Sequence, residues 1–395
     1  MESTVATPAA TTLPITLDHV TAAFAQIPDP RRRASVRYPL SAVLALAVSA
    51  ILCARTSVLA MAEWGGQQSE QVLEDLGFPE PCTPCQSTLQ RLFCRLDAAA
   101  LSQALQQYFG AEPGGQTRAR GSEGIALDGK AQRGRLQYEP DGTPVHALVA
   151  FCQERGVVLA QEPITQGHDK REAELTVAPT LIARIDWHGR VLTGDALFCQ
   201  RTLCQQVLDA GGDYLVLVKA NQHRLFNDLR ACFALPLDLL DRRDTCTVDQ
   251  GHGRTAETRT LIATTDLVGY LDWPGHAQVF QVTRVWGEHG QWHEQIRYGI
   301  TSLPPEIGTA QQLLALKRGH WRIENQGHRS KDVNLGEDAS LVHTAQGPTI
   351  CAMLRDAAIS LLRAAGHTHI AARLRYHSQT PQAAVALLLS SPPHA

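Results

Sequence analysis

A strand, a helix and a second strand follow one another in residues 190–222, RVLTGDALFCQRTLCQQVLDAGGDYLVLVKANQ. The first apolar run ends at Asp195, a helix is expected over residues 201–210, and Gly211 and Gly212 stop it. A second apolar run, residues 214–219, is again of strand length. The stretch therefore predicts two strands of one sheet joined by a helix, which decides the fold in favour of the α/β class.

The residues before this stretch add three β segments and another helix. A first apolar run ends at Asp128, and residues 145–151 and 157–160 have the pattern of a second and a third strand. Residues 171–185, REAELTVAPTLIARI, predict an amphipathic helix. Three β segments followed by helix, strand, helix and strand predict an α/β domain with a mixed sheet.

In the rest of the chain the hydrophobic pattern changes between helical and strand-like, and these changes predict the domain organisation. A helical pattern, which includes an apolar helix from Pro39 toward Trp64, precedes the α/β part, and alternating strands interrupt that part further on. We predict a flexible leader (1–14), a helical N-terminal domain (15–109), a linker (110–124), a catalytic domain (125–365) with a β-rich insertion (about 245–301), and a C-terminal tail (366–395).

The composition is that of an ordinary globular protein, with 395 residues of which 44% are hydrophobic and 19% charged. A formal net charge of −3 excludes a surface that is positive all over but allows a local basic groove. The longest uncharged apolar run, residues 40–54, is shorter than the roughly 20 residues of a membrane span. The N-terminus lacks the pattern of a secretory signal, so we expect a soluble, cytoplasmic protein.

The ten cysteines do not predict a metal site. Cys82 and Cys85 have the C-x2-C spacing of a zinc-ligand pair, but the sequence holds no second pair of that spacing. We expect reduced thiols and no structural zinc.

Two aspartates stand at the ends of predicted strands. Asp128 lies in LDGK (127–130) and Asp195 in TGDA (193–196), each directly after apolar strand residues. Open α/β sheets bind their ligands at the carboxyl ends of the strands. Taken singly, each aspartate is more often a helix cap or a loop acid than a catalytic group.

A glutamate and a group of cations share a predicted helix that begins at Gly308 and runs to about Asn325. Glu324 lies in HWRIEN (320–325), and Trp321 is expected on the same helix face. A phosphate backbone would contact such a basic patch, although solvated charges and an ion-paired surface glutamate are common alternatives. The cations between residues 317 and 331 are Lys317, Arg318, Arg322, Arg329 and Lys331.

Together, Asp128, Asp195 and Glu324 are more specific than each is alone. Two aspartates at strand ends and one helix glutamate can form a carboxylate set for Mg²⁺ or Mn²⁺, which bind oxygen ligands. Two such ions about 4 Å apart can activate the attacking oxygen and stabilise the leaving oxygen of a phosphodiester. The sequence is thus consistent with a two-metal site able to act on phosphodiesters. A glycosidase is a poorer match, because aromatic residues make up only 6% of the chain and none cluster near the acids.

Five motifs resemble a known family. They are LDGKAQRG (127–134), GDALFCQ (194–200), GGDYLVLVKANQ (211–222), HGR (252–254) and HWRIEN (320–325). In this order and spacing they are similar to the ISAs-type insertion-sequence transposases, also called H-repeat-associated proteins. The resemblance extends from Ile27 to about Arg363.

The resemblance implies a ribonuclease H-like core, with a helical N-terminal domain and a β insertion before the glutamate helix. It implies that Asp128, Asp195 and Glu324 are the DDE triad. The partners would be the transposon ends and the target DNA, and the protein would work as a homodimer or a larger synaptic complex.

The expected DNA contacts surround the triad. Related transposases carry tyrosine, arginine and lysine at the positions of Lys317, His320 and Lys331, so only the last position matches. Where the family often has a tryptophan after the histidine, this chain has Arg329 after His328. Some of the expected contacts are equally consistent with a turn at 252–254 and a helix cap at 221–222. The residues expected at DNA are Lys130, Lys219, Asn221, Gln222, Arg254, Lys317, His320, Asn325 and Lys331.

Three functions remain open from the sequence. The leading hypothesis is a transposase that cleaves the 3′ ends of its element and joins them to target DNA. A domesticated or decayed copy that binds DNA without cutting it is a second hypothesis, against which the intact triad argues. A metal-dependent nuclease without strand transfer is a third, because nuclease and transposase share the triad.

Overall fold

The structure, a computed structural model, describes residues 19–111, 117–132, 146–164, 170–236, 241–249, 257–288 and 291–390. The predicted leader (1–14) and Arg254 lie outside these residues, as does part of the predicted linker. Among the described residues, no helix is long and apolar enough to cross a membrane.

One mixed sheet of nine strands organises the described part of the chain, in the order β3-β2-β1-β4-β5-β9-β8-β7-β6. The pairs β1–β4 and β4–β5 are parallel, and the other neighbours are antiparallel. The strands are β1 (Glu123–Ala131), β2 (His146–Cys152), β3 (Val157–Ile164), β4 (Arg190–Gly194), β5 (Asp213–Val218), β6 (Arg242–Asp249), β7 (Glu257–Thr264), β8 (Gln278–Glu288) and β9 (Gln291–Thr301).

The first five strands form the mixed-sheet α/β core that the sequence predicts. β1, β2 and β3 are an antiparallel meander, and the two parallel strands β4 and β5 follow on the other side of β1. The helix between β4 and β5 is the connection that a parallel pair requires. The mixed α/β class is therefore confirmed.

The predicted β-rich insertion extends this sheet rather than standing apart from it. β9 pairs antiparallel with β5, Leu215 opposite Thr301, and β8, β7 and β6 follow outward. β5 would otherwise present an unpaired edge, and β9 satisfies its backbone groups. The strands begin at Arg242, slightly before the predicted boundary.

Helices cover both faces of the sheet. One face carries a core that includes Leu192 and Val216, and the other carries a core in which Leu215 packs with Leu313 and Leu314. This alternation is expected for strands that are buried on both sides. The helices of this part are α7 (Lys170–Ala183), α8 (Arg201–Asp209), α9 (His223–Ala234), α10 (Ala310–Gly319), α11 (Arg329–Leu335) and α12 (Gly347–Ala364).

The N-terminal part is helical, as predicted, but its apolar helix is shorter than expected. The single helix predicted from Pro39 toward Trp64 is two helices, separated where Ala54 has φ +61°. Residues 42–52 are all buried, which explains their uniformly apolar character. The helices are α1 (Val20–Ala25), α2 (Leu40–Leu52), α3 (Val58–Gly66), α4 (Glu70–Asp75), α5 (Gln86–Phe93) and α6 (Ala98–Gly110).

The segment predicted as a C-terminal tail contains two helices, α13 (Ile370–Gln379) and α14 (Pro381–Leu389). Both pack against α2, and Leu374 and Leu388 are buried in the shared core. The prediction of a tail was wrong because the apolar residues of these helices complete a core begun more than 300 residues earlier. Their sequence alone does not show this contact.

Candidate active site

Asp128 lies on β1, and Asp195 directly follows β4, the parallel strand next to it. β1 and β4 are in register with Ala126 opposite Thr193, and each aspartate follows two residues later. The pairing of the two strands ends there, and β1 continues along β2 to Ala131, so Asp128 lies within the strand rather than at its end. The Asp128 and Asp195 side chains are 39% and 50% exposed, respectively. The sheet thus presents both carboxyl groups where β1 and β4 separate.

The loop after β4 fixes Asp195. The backbone N–H of Leu197 donates to Asp195 Oδ1 over 2.8 Å. The ammonium of Lys219, at the end of β5, lies 3.9 Å from Asp195 Oδ2 and is largely exposed. Asp195 therefore has a fixed orientation and a cation beside it.

Glu324 lies on a wide helical turn. The helix predicted to run to about Asn325 ends as α10 at Gly319, and residues Ile323–His328 form a π-helical segment before α11. Ile323 is buried against Ala126, Val149 and Phe151, and Glu324, the next residue, is exposed. The packing of Ile323 on the sheet therefore brings Glu324 to the edge occupied by the aspartates. Such π segments are frequent at functional sites.

A group able to bind a metal ion forms at this point. One ligand atom each from Asp128, Glu324 and His328 lies within 4.8 Å of the others. His328 is 3% exposed, and its Nε2 atom lies 3.4 Å from Asp128 Oδ2. Two carboxylates and an imidazole suit a divalent cation. The sequence analysis did not include His328 among the ligands, although a Glu-x3-His spacing could have indicated it, since i and i+4 share a helix face.

The three acids line one cavity. A cavity of about 230 Å³ is lined by Asp128, Asp195 and Glu324 together with Lys317, His320 and the exposed edge of Trp321. Asp128, Asp195 and Lys219 also line a neighbouring cavity of about 680 Å³, which Asn221 borders. The three acids predicted from separate segments are therefore brought together beside an open groove.

Burial changes the pKa of two basic groups in the smaller cavity. Burial, reinforced by the charges of nearby arginines, lowers the pKa of Lys317 to about 8. Burial also lowers the pKa of His320, although Asp128 and Asp195 act in the opposite direction. His320 Nδ1 lies 3.3 Å from Thr193 Oγ1, which links the segment before Glu324 to β4.

The other residues expected at DNA lie in different surroundings. Lys130 forms an ion pair of 2.5 Å with Asp332 on α11. Asn221 and Asn325 are exposed. The Gln222 amide donates to the carbonyl of Cys199 over 2.9 Å, which ties the turn after β5 to the loop after β4.

Lys331, which the sequence analysis expects at DNA, is buried in the protein instead of exposed beside the acids. Its side chain is 3% exposed, and its ammonium lies 3.0 Å from a carboxyl oxygen of Asp356 and 3.7 Å from Glu337. Burial alone would lower the pKa of Lys331, but these two carboxylates raise it. The spacing to Glu324 fits a DNA contact, but α11 turns this position toward α12.

Comparisons with known proteins give a consistent result. A family model described as "Transposase DDE domain" matches residues 120–361, and one described as "DDE_Tnp_1-associated" matches residues 21–109. "Putative transposase YncI" of Escherichia coli O157:H7 is 26% identical over 347 residues, 85% of each chain. An "Uncharacterized protein in dhlA 3'region" of Xanthobacter autotrophicus is 30% identical over 285 residues, 71% of this chain and 92% of that protein. "H repeat-associated putative transposase YhhI" of E. coli K12 is 24% identical, over 85% of this chain and 88% of that protein.

Proposed function

The chain belongs to the H-repeat-associated family of DDE transposases, and on that premise we propose that it binds the terminal inverted repeats of its element, cleaves their 3′ ends and joins them to target DNA. The convergence of Asp128, Asp195 and Glu324 on one cavity supports this proposal most directly. A two-metal site for phosphodiester cleavage needs several oxygen ligands at one point, and three segments far apart in sequence supply carboxylates there.

In this proposal Asp128, Asp195 and Glu324 hold two divalent ions, Mg²⁺ or Mn²⁺. When bound, these ions lower the barrier to in-line attack on a phosphodiester by water and then by the freed 3′-hydroxyl. The three carboxylates orient the reacting groups, and the hydrogen bond from Leu197 keeps Asp195 in place. Fixed carboxylates are required because a misplacement of about 1 Å costs about a hundredfold in rate.

The cationic residues of the two cavities would hold the DNA backbone against the acids. Lys219 extends into solvent beside Asp195, and Lys317 lies inside the smaller cavity. Their charges offset the repulsion between phosphate and carboxylates. Trp321 is 52% exposed at the rim of that cavity, where its ring can stack on an unpaired base near the cleaved end.

Joining two ends at one target requires two active sites. We therefore expect the protein to act as a homodimer or a larger assembly when it is bound to the paired ends. The helical N-terminal domain, residues 15–109, is the candidate for recognition of the end sequence, since the cluster of Arg31, Arg32, Arg33 and Arg37 at its beginning can contact phosphates.

Cleavage of a labelled duplex that carries the element's end tests the proposal. With Mg²⁺ or Mn²⁺, the wild-type protein should nick the 3′ end, and Asp195→Asn should bind the duplex without nicking it. Asp209→Asn is the matched control, because Asp209 is exposed on α8 and lines neither cavity. Binding without nicking by the folded wild-type protein would contradict the proposal and favour a DNA-binding protein.

A second assay separates a transposase from a nuclease of the same fold. Duplexes with recessed 3′-hydroxyl ends bypass the first cut, so the wild-type protein should join them to a supercoiled plasmid. Nicking without joining would show that the protein is a nuclease without strand-transfer activity. Asp195→Asn should do neither, because both steps use the same carboxylates.

A further inference from the structure

His328 has no role in the triad, yet it lies against two of its members. It is the last residue of the π segment that carries Glu324, and its side chain is only 4% exposed. Its Nε2 atom has no hydrogen-bond partner among the described residues, and it lies 3.4 Å from Asp128 Oδ2. An imidazole nitrogen that is buried without a partner is costly, so its position needs an explanation.

We propose that His328 is a protein ligand of the divalent cation that Asp128 and Glu324 hold, and that it gives this site a preference for Mn²⁺ over Mg²⁺. The inference rests on the proposed function and adds a ligand and a metal preference to it. The three ligand atoms lie within 4.8 Å of one another. Two ligands of an ion with bonds of about 2.1 Å are at most about 4.2 Å apart, so a small side-chain rotation brings these atoms around one ion.

The backbone favours this arrangement. Glu324 and His328 are four residues apart on one helical segment, which places both side chains toward the sheet edge. Ile323 anchors the segment in the apolar cluster with Ala126 and Phe151, so the two ligands move together and not independently. Asp128, on β1, supplies the third ligand atom from the sheet.

The donor set explains the metal preference. Mg²⁺ binds oxygen ligands and retains several of its waters. Mn²⁺ also binds carboxylates, but as a first-row transition metal it accepts an imidazole nitrogen more readily than Mg²⁺ does. Asp195 is not a member of this group, so a second ion held by Asp128 and Asp195 would have oxygen ligands from the protein. The two ions of the site would therefore differ in their selectivity.

Electron spin-echo spectroscopy of the full-length protein with Mn²⁺ alone tests the inference directly. A coordinated imidazole couples its ¹⁴N nucleus to the Mn²⁺ electron spin, so the wild-type protein should show this coupling. His328→Gln should lose the coupling and bind Mn²⁺ at least about tenfold more weakly, with a smaller effect on Mg²⁺. His320→Gln is the matched control, because His320 is the other imidazole near the acids but is not in the ligand group, and this variant should keep the coupling.

A second variant guards against a simple loss of folding. His328→Asp replaces nitrogen by oxygen in the same ligand group, so it should bind a divalent cation without ¹⁴N coupling and should shift the preference toward Mg²⁺. Circular dichroism checks the fold of each variant.

Three results would overturn the inference: no Mn²⁺ binding by the folded wild-type protein, binding without ¹⁴N coupling, or coupling that persists in His328→Gln. None of these depends on DNA cleavage. If one of these results is found but metal-dependent nicking is lost in Asp195→Asn, the proposed function stands and only the role of His328 as a ligand is rejected. Nitrogen coupling in a protein that never nicks its end duplex would keep the ligand and reject the function.

Discussion

Ala126 and Thr193 pair in the parallel register of β1 and β4, and Asp128 and Asp195 follow them by the same two residues. Side chains two residues apart in a strand lie on the same face, so Asp128 shares the face on which Ala126 packs against Ile323. A shift of one residue would turn Asp128 to the opposite face. The strand register therefore determines the position of the first carboxylate relative to the Glu324 segment.

A longer side chain at position 195 should distinguish the effect of the carboxylate's position on cleavage from the effect of its charge. Asp195→Glu keeps the charge, and the half-exposed side chain leaves room for a methylene group. The carboxylate moves by about 1 Å, so cleavage of the end duplex should fall about a hundredfold. The free energy of unfolding should change by less than about 0.5 kcal/mol, as for other exposed positions. Wild-type cleavage rates in Asp195→Glu would show that this carboxylate is not placed for catalysis.

Lys331 should matter for stability and not for DNA binding. Lys331→Met leaves Asp356 and Glu337 buried without their cation, and should cost about 3 kcal/mol in urea unfolding. Arg329→Met removes the same charge from an exposed position two residues away and should cost less than about 0.5 kcal/mol.

The salt dependence of DNA binding distinguishes a buried lysine, Lys331, from one expected to contact phosphate, Lys219. The slope of log affinity against log salt should be unchanged in Lys331→Met at a temperature where the variant is folded. In Lys219→Met the slope should fall by about 0.9, which corresponds to one lost phosphate contact. A reduced slope in folded Lys331→Met would mean that this lysine reaches DNA after all.

Most of the α/β core could be predicted from the sequence because its signals are local. Apolar runs mark β1 to β5, and Gly211 and Gly212 end α8 just before β5. The position of Asp195 could also be predicted, because it directly follows the apolar run of β4. Asp128 also follows an apolar run, although β1 continues past it to Ala131. These features depend on neighbours in sequence.

The features that the sequence did not predict depend on contacts between distant segments. Nothing local shows that β9 pairs with β5, that α14 packs on α2, or that Lys331 turns toward Asp356. His328 was not among the predicted ligands. Its closeness to Asp128 depends on the π segment, which a 3.6-residue period does not predict.

Glu123 should make the core sensitive to acid. It accepts from Arg190 Nε over 2.6 Å and from Arg155 Nε over 2.8 Å. Burial alone would raise the pKa of Glu123, but the two arginines lower it below its usual value of 4.5. Its contribution to stability is therefore complete above about pH 4.5 and is lost as the pH falls through the lowered native value.

The variant Glu123→Gln tests this pH dependence. It should cost about 3 kcal/mol at pH 7, because it leaves buried Arg190 without its carboxylate. The difference from the wild-type protein should shrink as the pH is lowered below about 4.5. Glu80→Gln, at an exposed position, is the control and should show no such difference. A gap that stays constant from pH 7 to pH 3 would refute the ion-pair explanation.

Lys317 should give DNA binding a pH dependence of its own. Burial and the charges of Arg297, Arg259, Arg284 and Arg318 lower the pKa of Lys317 to about 8, so in the free protein its ammonium is charged at pH 7 and largely neutral at pH 9. A phosphate contact requires the charged form, so affinity for the end duplex should fall about tenfold between these pH values. Lys317→Arg stays charged and should lose less affinity over the same range. Equal pH dependence in both proteins would exclude Lys317 as the titrating contact.

The two C-terminal helices should be necessary for stability, although they lie far from the acids in sequence. Leu388 of α14 is fully buried in the core that contains α2. Leu388→Ala should therefore cost about 3 kcal/mol, from lost burial and the cavity that remains. Gln382→Ala, on the exposed side of the same helix, should cost less than about 0.5 kcal/mol. Equal unfolding midpoints for Leu388→Ala and the wild-type protein would show that residues 381–389 do not stabilise α2, and that α14 is only loosely attached.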